Sequence, residues 1–367
     1  MNIGLAGLPM SGKTTVFNMA TRATAQVRDY LGQSDEINTG QIKVPDERID
    51  KLTAIYKPKR TVFATVDFTD IPGVAKAQGD ASGAGFAGKT LANIRICDAL
   101  GLVIRVFGGT TVPHVHDRVD PAEDIEELSL EFIFADLALV QNKIERANKE
   151  MRTGKKPELL KELELMEKLK TTLEAEKFIS TLTFSAEEEG LIRGFRFLTQ
   201  KPMLAIGNCS DDQLKNAEDP SVKKFLAAAS AKGWPTLLIA AKTEMEIATL
   251  SPEEESAFLL EYGIVESGRS RLLRESYRIL NYISFFTVGE DEVRAWPIQR
   301  GFTAQKSAGR IHSDIERGFI RAEVIAYDHF MSHNGNKAAC KSAGQMRLEG
   351  KEYLVSDGDI IEFRFNV

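Results

Sequence analysis

An α/β fold with a largely parallel sheet is what this 367-residue sequence predicts, and three observations carry the prediction. Short apolar runs at residues 3–6, 100–107, 203–207 and 237–240 are separated by stretches of helical spacing. Parallel strands require this pattern, because each is joined to the next by a crossover and burial on both faces makes it apolar throughout. Between 125 and 177 the apolar spacing becomes that of long helices, and from about 281 onward it becomes that of a small α+β unit. A chain of this length exceeds one ordinary domain, so two or three units are expected.

Residues 3–6 form the first strand and 13–24 the helix that follows. Val62, Ala64, Val66 and Phe68 share one side of 61–69, which reads as a single strand. Leu128, Phe132, Leu137, Val140 and Ile144 recur at helical spacings, and Leu159, Leu163, Met166 and Leu173 repeat roughly as a heptad. The break at Thr153-Gly154-Lys155-Lys156-Pro157 lies between them. An antiparallel helical hairpin inserted into the sheet domain fits this texture, with two ordinary helices packed on that domain as the alternative. Strands at 283–288, 319–327 and 360–365, a short helix at 338–343, and turns at Gly335, Gly350 and Gly358 complete the chain. The expected domains are therefore 1–124 with 195–280, an insertion over 125–194, and 281–367.

Composition excludes several classes. Hydrophobic content of 43% and charged content of 27% suit a soluble protein with a sizeable core. A net charge of -6 argues against non-specific nucleic-acid binding by the whole molecule. Cys97, Cys209 and Cys340 are odd in number and far apart, neither a disulfide framework nor a zinc pattern, so a reducing compartment is expected. His114 and His116 have no cysteine or histidine cluster around them, which argues against a transition-metal site. No apolar run is long enough to span a bilayer, and a strand running straight into glycines is not a signal peptide. A cytoplasmic location follows.

Chemistry enters at Gly7-Leu8-Pro9-Met10-Ser11-Gly12-Lys13-Thr14, which matches G-x-x-x-x-G-K-[ST] in full. Phosphates need converging backbone N–H groups, and a glycine turn lets the chain wrap that closely. Lys13 would reach the β- and γ-phosphates and the Thr14 hydroxyl would ligate magnesium, with Thr15 counted in the same phosphate-binding set. Asp70-Ile71-Pro72-Gly73 follows the next strand and supplies a carboxylate for the magnesium and, at Gly73, an N–H for the γ-phosphate. Asn208-Cys209-Ser210-Asp211 follows the 203–207 strand, where a GTPase carries N-K-x-D, with Cys209 in place of the lysine that packs along the base. Ala240-Ala241-Lys242 stands where a base-flanking S-A-K loop would lie.

The sequence resembles the YchF-type Obg-like ATPases over essentially its whole length. The resemblance rests on Val44-Pro45-Asp46-Glu47-Arg48, Leu91-Ala92-Asn93-Ile94-Arg95, Arg118-Val119-Asp120-Pro121 and Gly194-Phe195-Arg196-Phe197-Leu198. Further matches are Glu292-Val293-Arg294-Ala295-Trp296, Gly309-Arg310-Ile311-His312, residues 319–327 and Phe363-Arg364-Phe365-Asn366-Val367. It implies a G domain, an inserted helical coiled coil, a C-terminal ubiquitin-like TGS domain, and a P-loop NTPase linked to ribosomes that commonly prefers ATP to GTP. Three departures stand out. Met10 replaces the usual P-loop asparagine, and a thioether does not ligate potassium at comparable strength, which argues against potassium stimulation. Asp211 stands where the family commonly has glutamate, leaving ATP and GTP both open. Ser34 takes the place of the switch-one threonine as a magnesium ligand. Val74, hydrophobic as in the family, replaces the glutamine that orients water in many GTPases.

His114 occupies the position of a family histidine proposed to approach the γ-phosphate, where a neutral imidazole would orient or deprotonate water; a solvent-facing loop histidine is the alternative. The overall reading is a monomeric regulatory NTPase with switch segments at 34–40 and 73–88, the second loosened by Gly79, Gly83, Gly85 and Gly88. The resemblance implies ribosomal RNA or protein as partner. Arg294, Arg300, Arg310, Arg317 and Arg321 form either an RNA-facing surface or, with their interspersed acids, an ordinary solvated one. A small-metabolite kinase and a nucleotide-holding scaffold without turnover are the competing readings.

Overall fold

The computed structural model describes residues 1–23, 38–72, 88–109, 112, 114, 116, 118–152, 157–251, 254–255, 257 and 266–366. Ser34, Gly73, Val74, Gly79, Gly83 and Gly85 lie outside the described residues. The strands are β1 (Asn2–Ala6), β2 (Asn38–Lys43), β3 (Arg60–Val62), β4 (Thr65–Asp70), β5 (Ala99–Arg105), β6 (Met203–Asn208) and β7 (Thr236–Ile239). They continue with β8 (Tyr282–Val288), β9 (Glu292–Gln299), β10 (Phe319–Ile325), β11 (Arg347–Glu349) and β12 (Ile360–Phe365). Five helices matter below: α1 (Lys13–Thr21), α2 (Glu47–Tyr56), α3 (Gly88–Ile96), α4 (Pro121–Met151) and α5 (Pro157–Glu174).

The chain forms two compact units, Met1–Gly40 with Asp67–Ser276, and Gln41–Val66 with Tyr277–Val367. The first holds a sheet in the order β2-β4-β1-β5-β6-β7. β1 pairs in parallel with β4 and β5, β5 with β6, and β6 with β7. All seven residues of β5 and all six of β6 are buried, as central parallel strands covered on both faces must be. The strand order reverses at β1, which places the ends of β1, β4, β5 and β6 around a topological switch point, where ligands bind in such sheets.

Helix α4 starts at Pro121 behind the Asp120 N-cap, whose carboxylate accepts from the Ala122 and Glu123 N–H groups. Its Leu128, Phe132, Val140 and Ile144 join Leu165, Met166, Leu169 and Leu173 of α5 in one buried cluster with β5 and β6. Lys143 and Glu162 pair across the two helices at 2.8 Å. This packing is why the insertion expected at 125–194 falls inside the first unit.

The second unit carries a mixed sheet in the order β11-β10-β12-β8-β9-β3. β8 and β9 are antiparallel, β12 lies parallel to β8, and β10 is antiparallel to both β12 and β11. Ile283, Phe285, Ile298, Phe319, Val324, Ile361 and Phe363 form its core. Residues 41–66, expected in the nucleotide domain, belong here. β3 pairs in parallel with β9, Thr61 opposite Val293, and Ile49 and Leu52 of α2 are buried with Phe286 and Val293. The single strand expected at 61–69 is accordingly two strands in two sheets. Among the described residues no helix is long and apolar enough to cross a membrane.

Candidate nucleotide-binding site

The loop between β1 and α1 owes its path to two glycines. Gly7 has φ +157, and a Cβ there would meet the Val103 carbonyl oxygen of β5 at 2.3 Å. Gly12, the residue before α1, has φ +93, and its Cβ would meet Asn208 Nδ2 at 2.2 Å. Met10 also sits in the left-handed region at φ 63, a conformation that costs a side chain such as methionine about 1–2 kcal/mol and that asparagine tolerates better.

Beneath this loop Lys13 is buried, and its Nζ donates to the Leu8 carbonyl at 2.8 Å. Burial pulls its pKa down to about 8, against the opposing attraction of Asp70. The Thr14 hydroxyl donates to Asp70 Oδ2 at 2.8 Å. Burial pushes the Asp70 carboxyl up, while Thr14 and Lys13 pull it down. Ser11 Oγ is buried and has no hydrogen-bond partner among the described residues. An orphan donor beside a buried ammonium is what an anionic oxygen would satisfy. Thr14 and Asp70 provide hard oxygen donors already in contact, the donor chemistry that magnesium takes.

Asn208, at the end of β6, is buried and joins two loops. Its Nδ2 donates to the Ser11 carbonyl at 3.0 Å, and its Oδ1 accepts from the Ala241 N–H at 3.3 Å. Cys209 packs into the core, its N–H bonded to the Ile239 carbonyl at 3.0 Å and its thiol pushed up to about 11 by burial. It is therefore a neutral packing group. Asp211 opens the helix Asp211–Lys215, and its Oδ2 accepts from Thr243 Oγ1 at 2.7 Å. Lys242 is exposed. The structure thus brings Gly7, Pro9, Met10, Ser11, Gly12, Lys13, Thr14, Asp70, Asn208 and Ala241 to one end of the sheet.

His114 is not the solvent-facing loop histidine of the alternative reading. It is 7% exposed rather than solvent-facing, and both ring nitrogens are engaged. Nδ1 accepts from the His116 N–H at 3.2 Å, which leaves the proton of a neutral ring on Nε2, 3.3 Å from Asp124 Oδ2. His116 Nε2 lies 2.6 Å from Glu127 Oε2. Burial raises the Asp124 carboxyl, with His114 opposing. Arg105, 1% exposed at the end of β5, donates from Nη2 to the Val112 carbonyl at 3.0 Å and stacks on Phe107 at 4.4 Å. Sequence reasoning missed Arg105, Asp124 and Thr243. Only Arg105 left a trace, as a lone cation in an otherwise apolar run.

A glycine turn between a buried parallel strand and a helix, a lysine beneath it and a carboxylate on the neighbouring strand define a P-loop NTPase. Residues 2–143 match the family model described as a 50S ribosome-binding GTPase, and 282–366 match the YchF GTPase C-terminal family, described as a protein of unknown function. The ribosome-binding ATPase YchF of Bacillus subtilis (strain 168) is 42% identical over 100% of both chains. That of Escherichia coli O157:H7 is 40% identical over 99% of both. The solved structure of the Schizosaccharomyces pombe YchF GTPase superposes with a TM-score of 0.84 at 28% identity, covering 99% of this chain and 97% of that one. The chain belongs to the YchF family.

Proposed function

We propose that this chain is a cytoplasmic, monomeric, ribosome-associated switch that binds ATP or GTP and hydrolyses it slowly to the diphosphate and phosphate. The observation that carries the reading is the convergence of a buried Lys13, an unsatisfied Ser11 hydroxyl and the Thr14–Asp70 pair under one glycine loop. The ribosome enters through the names of the relatives, which are called ribosome-binding ATPases. Thr14 and Asp70 would hold magnesium, with Ser34 as a further ligand, and the ion would neutralise charge on the β- and γ-oxygens.

Slow turnover would follow from the identities of two residues. Val74 has no group to orient water, and His114, to which we assign that task, is bonded through both ring nitrogens and must release one before it can act. The second unit supports a TGS assignment, because the order β9-β8-β12-β10-β11 with β8 and β12 parallel is that of a β-grasp sheet. The α4–α5 pair supports the reading of an antiparallel hairpin suited to contacting RNA or ribosomal protein. Phosphate release from ATP and GTP by the full chain, with and without ribosomes, tests the proposal. Ribosome-stimulated release is expected. Tight nucleotide binding with no release under either condition would leave a scaffold instead.

A further inference from the structure

We propose that Asn38 is a positioning residue of the magnesium site, holding the Asp70 carboxylate in the orientation the ion needs. The inference rests on the nucleotide-site reading above and adds to it a residue from the strand beside Asp70. β2 and β4 are neighbours in the first sheet. The Val44 N–H, just past the end of β2, donates at 2.8 Å to the carbonyl of Ala64, just ahead of the start of β4. A bond that joins the end of one strand to the start of the other makes the pair antiparallel. Six residues back from Val44 and six forward from Ala64 then bring Asn38 opposite Asp70. The Asn38 side chain is hydrogen-bonded to the Asp70 carboxylate, as that register requires. Residues directly opposite one another have Cβ atoms about 4.5–5.5 Å apart, within reach of a short amide.

The face is the right one as well. Asn38, Gly40 and Ile42 alternate with the exposed Thr39, Gln41 and Lys43 along β2. A Cβ on Gly40 would meet Thr21 Cγ2 at 2.4 Å and Phe17 Cζ at 3.4 Å, so this is the side that faces α1. Thr14, in the first turn of α1, donates to Asp70 Oδ2. Asp70, 7% exposed, is therefore held by a hydroxyl from the helix and an amide from the neighbouring strand. The two contacts differ in chemistry. A threonine hydroxyl donates its proton to a carboxylate and still has lone pairs for a metal. An amide nitrogen has none to give, so Asn38 acts through Asp70. Hydrogen bonds of this kind orient a ligating carboxylate, and their loss typically costs about 10–100-fold in metal affinity.

Calorimetric titration of the full-length protein with ATP and with GTP, each in EDTA and in saturating magnesium, tests the assignment. The quantity read is the gain in affinity that magnesium brings. Asn38→Leu keeps the bulk of the side chain and removes the donor. It should bind nucleotide in EDTA as the natural chain does and lose about tenfold or more of the magnesium gain. Asn38→Thr, a hydroxyl donor on a residue suited to a strand, should recover most of that loss. Asn38→Ala carries the same expectation as Asn38→Leu and stands if that variant does not fold. An equal fall in EDTA and in magnesium, or a gain undiminished in both donorless variants, would overturn the assignment and leave Asn38 as the residue that closes the ladder. A natural chain that takes up triphosphate with no gain from magnesium would overturn the metal reading and the proposal with it. Uptake of no triphosphate would overturn the phosphate site itself.

Discussion

Replacing Lys13 with methionine should stabilise the nucleotide-free protein while abolishing phosphate binding. A lysine whose pKa falls from 10.5 to about 8 on folding carries a penalty of about 3 kcal/mol in the folded state at neutral pH, at about 1.4 kcal/mol per unit. Methionine has similar length and no charge to desolvate. It also removes the donor to the Leu8 carbonyl, which returns about 1 kcal/mol. The net gain is about 2 kcal/mol, or a rise of about 1 M in the urea midpoint. The pH dependence has a definite sign. Between pH 8 and 10.5 the unfolded chain keeps a proton that folded Lys13 has lost, so the natural protein gains stability as pH rises through that window. Lys13→Met should remove that rise. Urea unfolding of both proteins at pH 7.5 and pH 10 measures it. A variant less stable than the natural chain at pH 7.5, or an unchanged pH slope, would refute the placement of a desolvated ammonium beneath the loop.

Other expectations follow from single contacts. Asn208→Ala leaves the Ser11 carbonyl and the Ala241 N–H without their partner, and should lower stability by about 2–4 kcal/mol and weaken nucleotide binding, both read by urea unfolding and calorimetry. Met10→Asn relieves the left-handed strain at φ 63 and should raise stability by about 1 kcal/mol; no change in the urea midpoint would count against that strain. His114→Ala should slow phosphate release without weakening nucleotide binding, and it should also destabilise the fold, because Asp124 is 3% exposed and loses its partner. Unchanged single-turnover hydrolysis would remove His114 from the mechanism.

The first sheet was largely legible because its signals are local. β1, β5, β6 and β7 each stand out as an apolar run bounded by a turn, and the phosphate loop is a contiguous motif. What escaped depends on partners distant in the chain. α2 and β3 lie between two strands of the first sheet yet belong to the second, since β3 pairs with β9 more than two hundred residues away. β9 itself was hidden by Pro297, which removes a ladder donor. The proline is tolerated because β3 covers β9 only from Glu292 to Arg294 and leaves that part of the strand at an edge. The engagement of His114 by His116 and Asp124, and of Asp211 by Thr243, is a matter of side-chain geometry to which residue spacing is blind.

The central claim is that a cradle of amides, one ammonium and one divalent ion grip a purine triphosphate at the end of β1. Isothermal titration of magnesium–GTP and magnesium–ATP into the natural protein and into Lys13→Met addresses it directly. Saturable one-to-one heat in the natural protein, lost in a variant that is at least as stable, is the predicted result. Absence of heat from either nucleotide, or equal uptake by Lys13→Met, would contradict it.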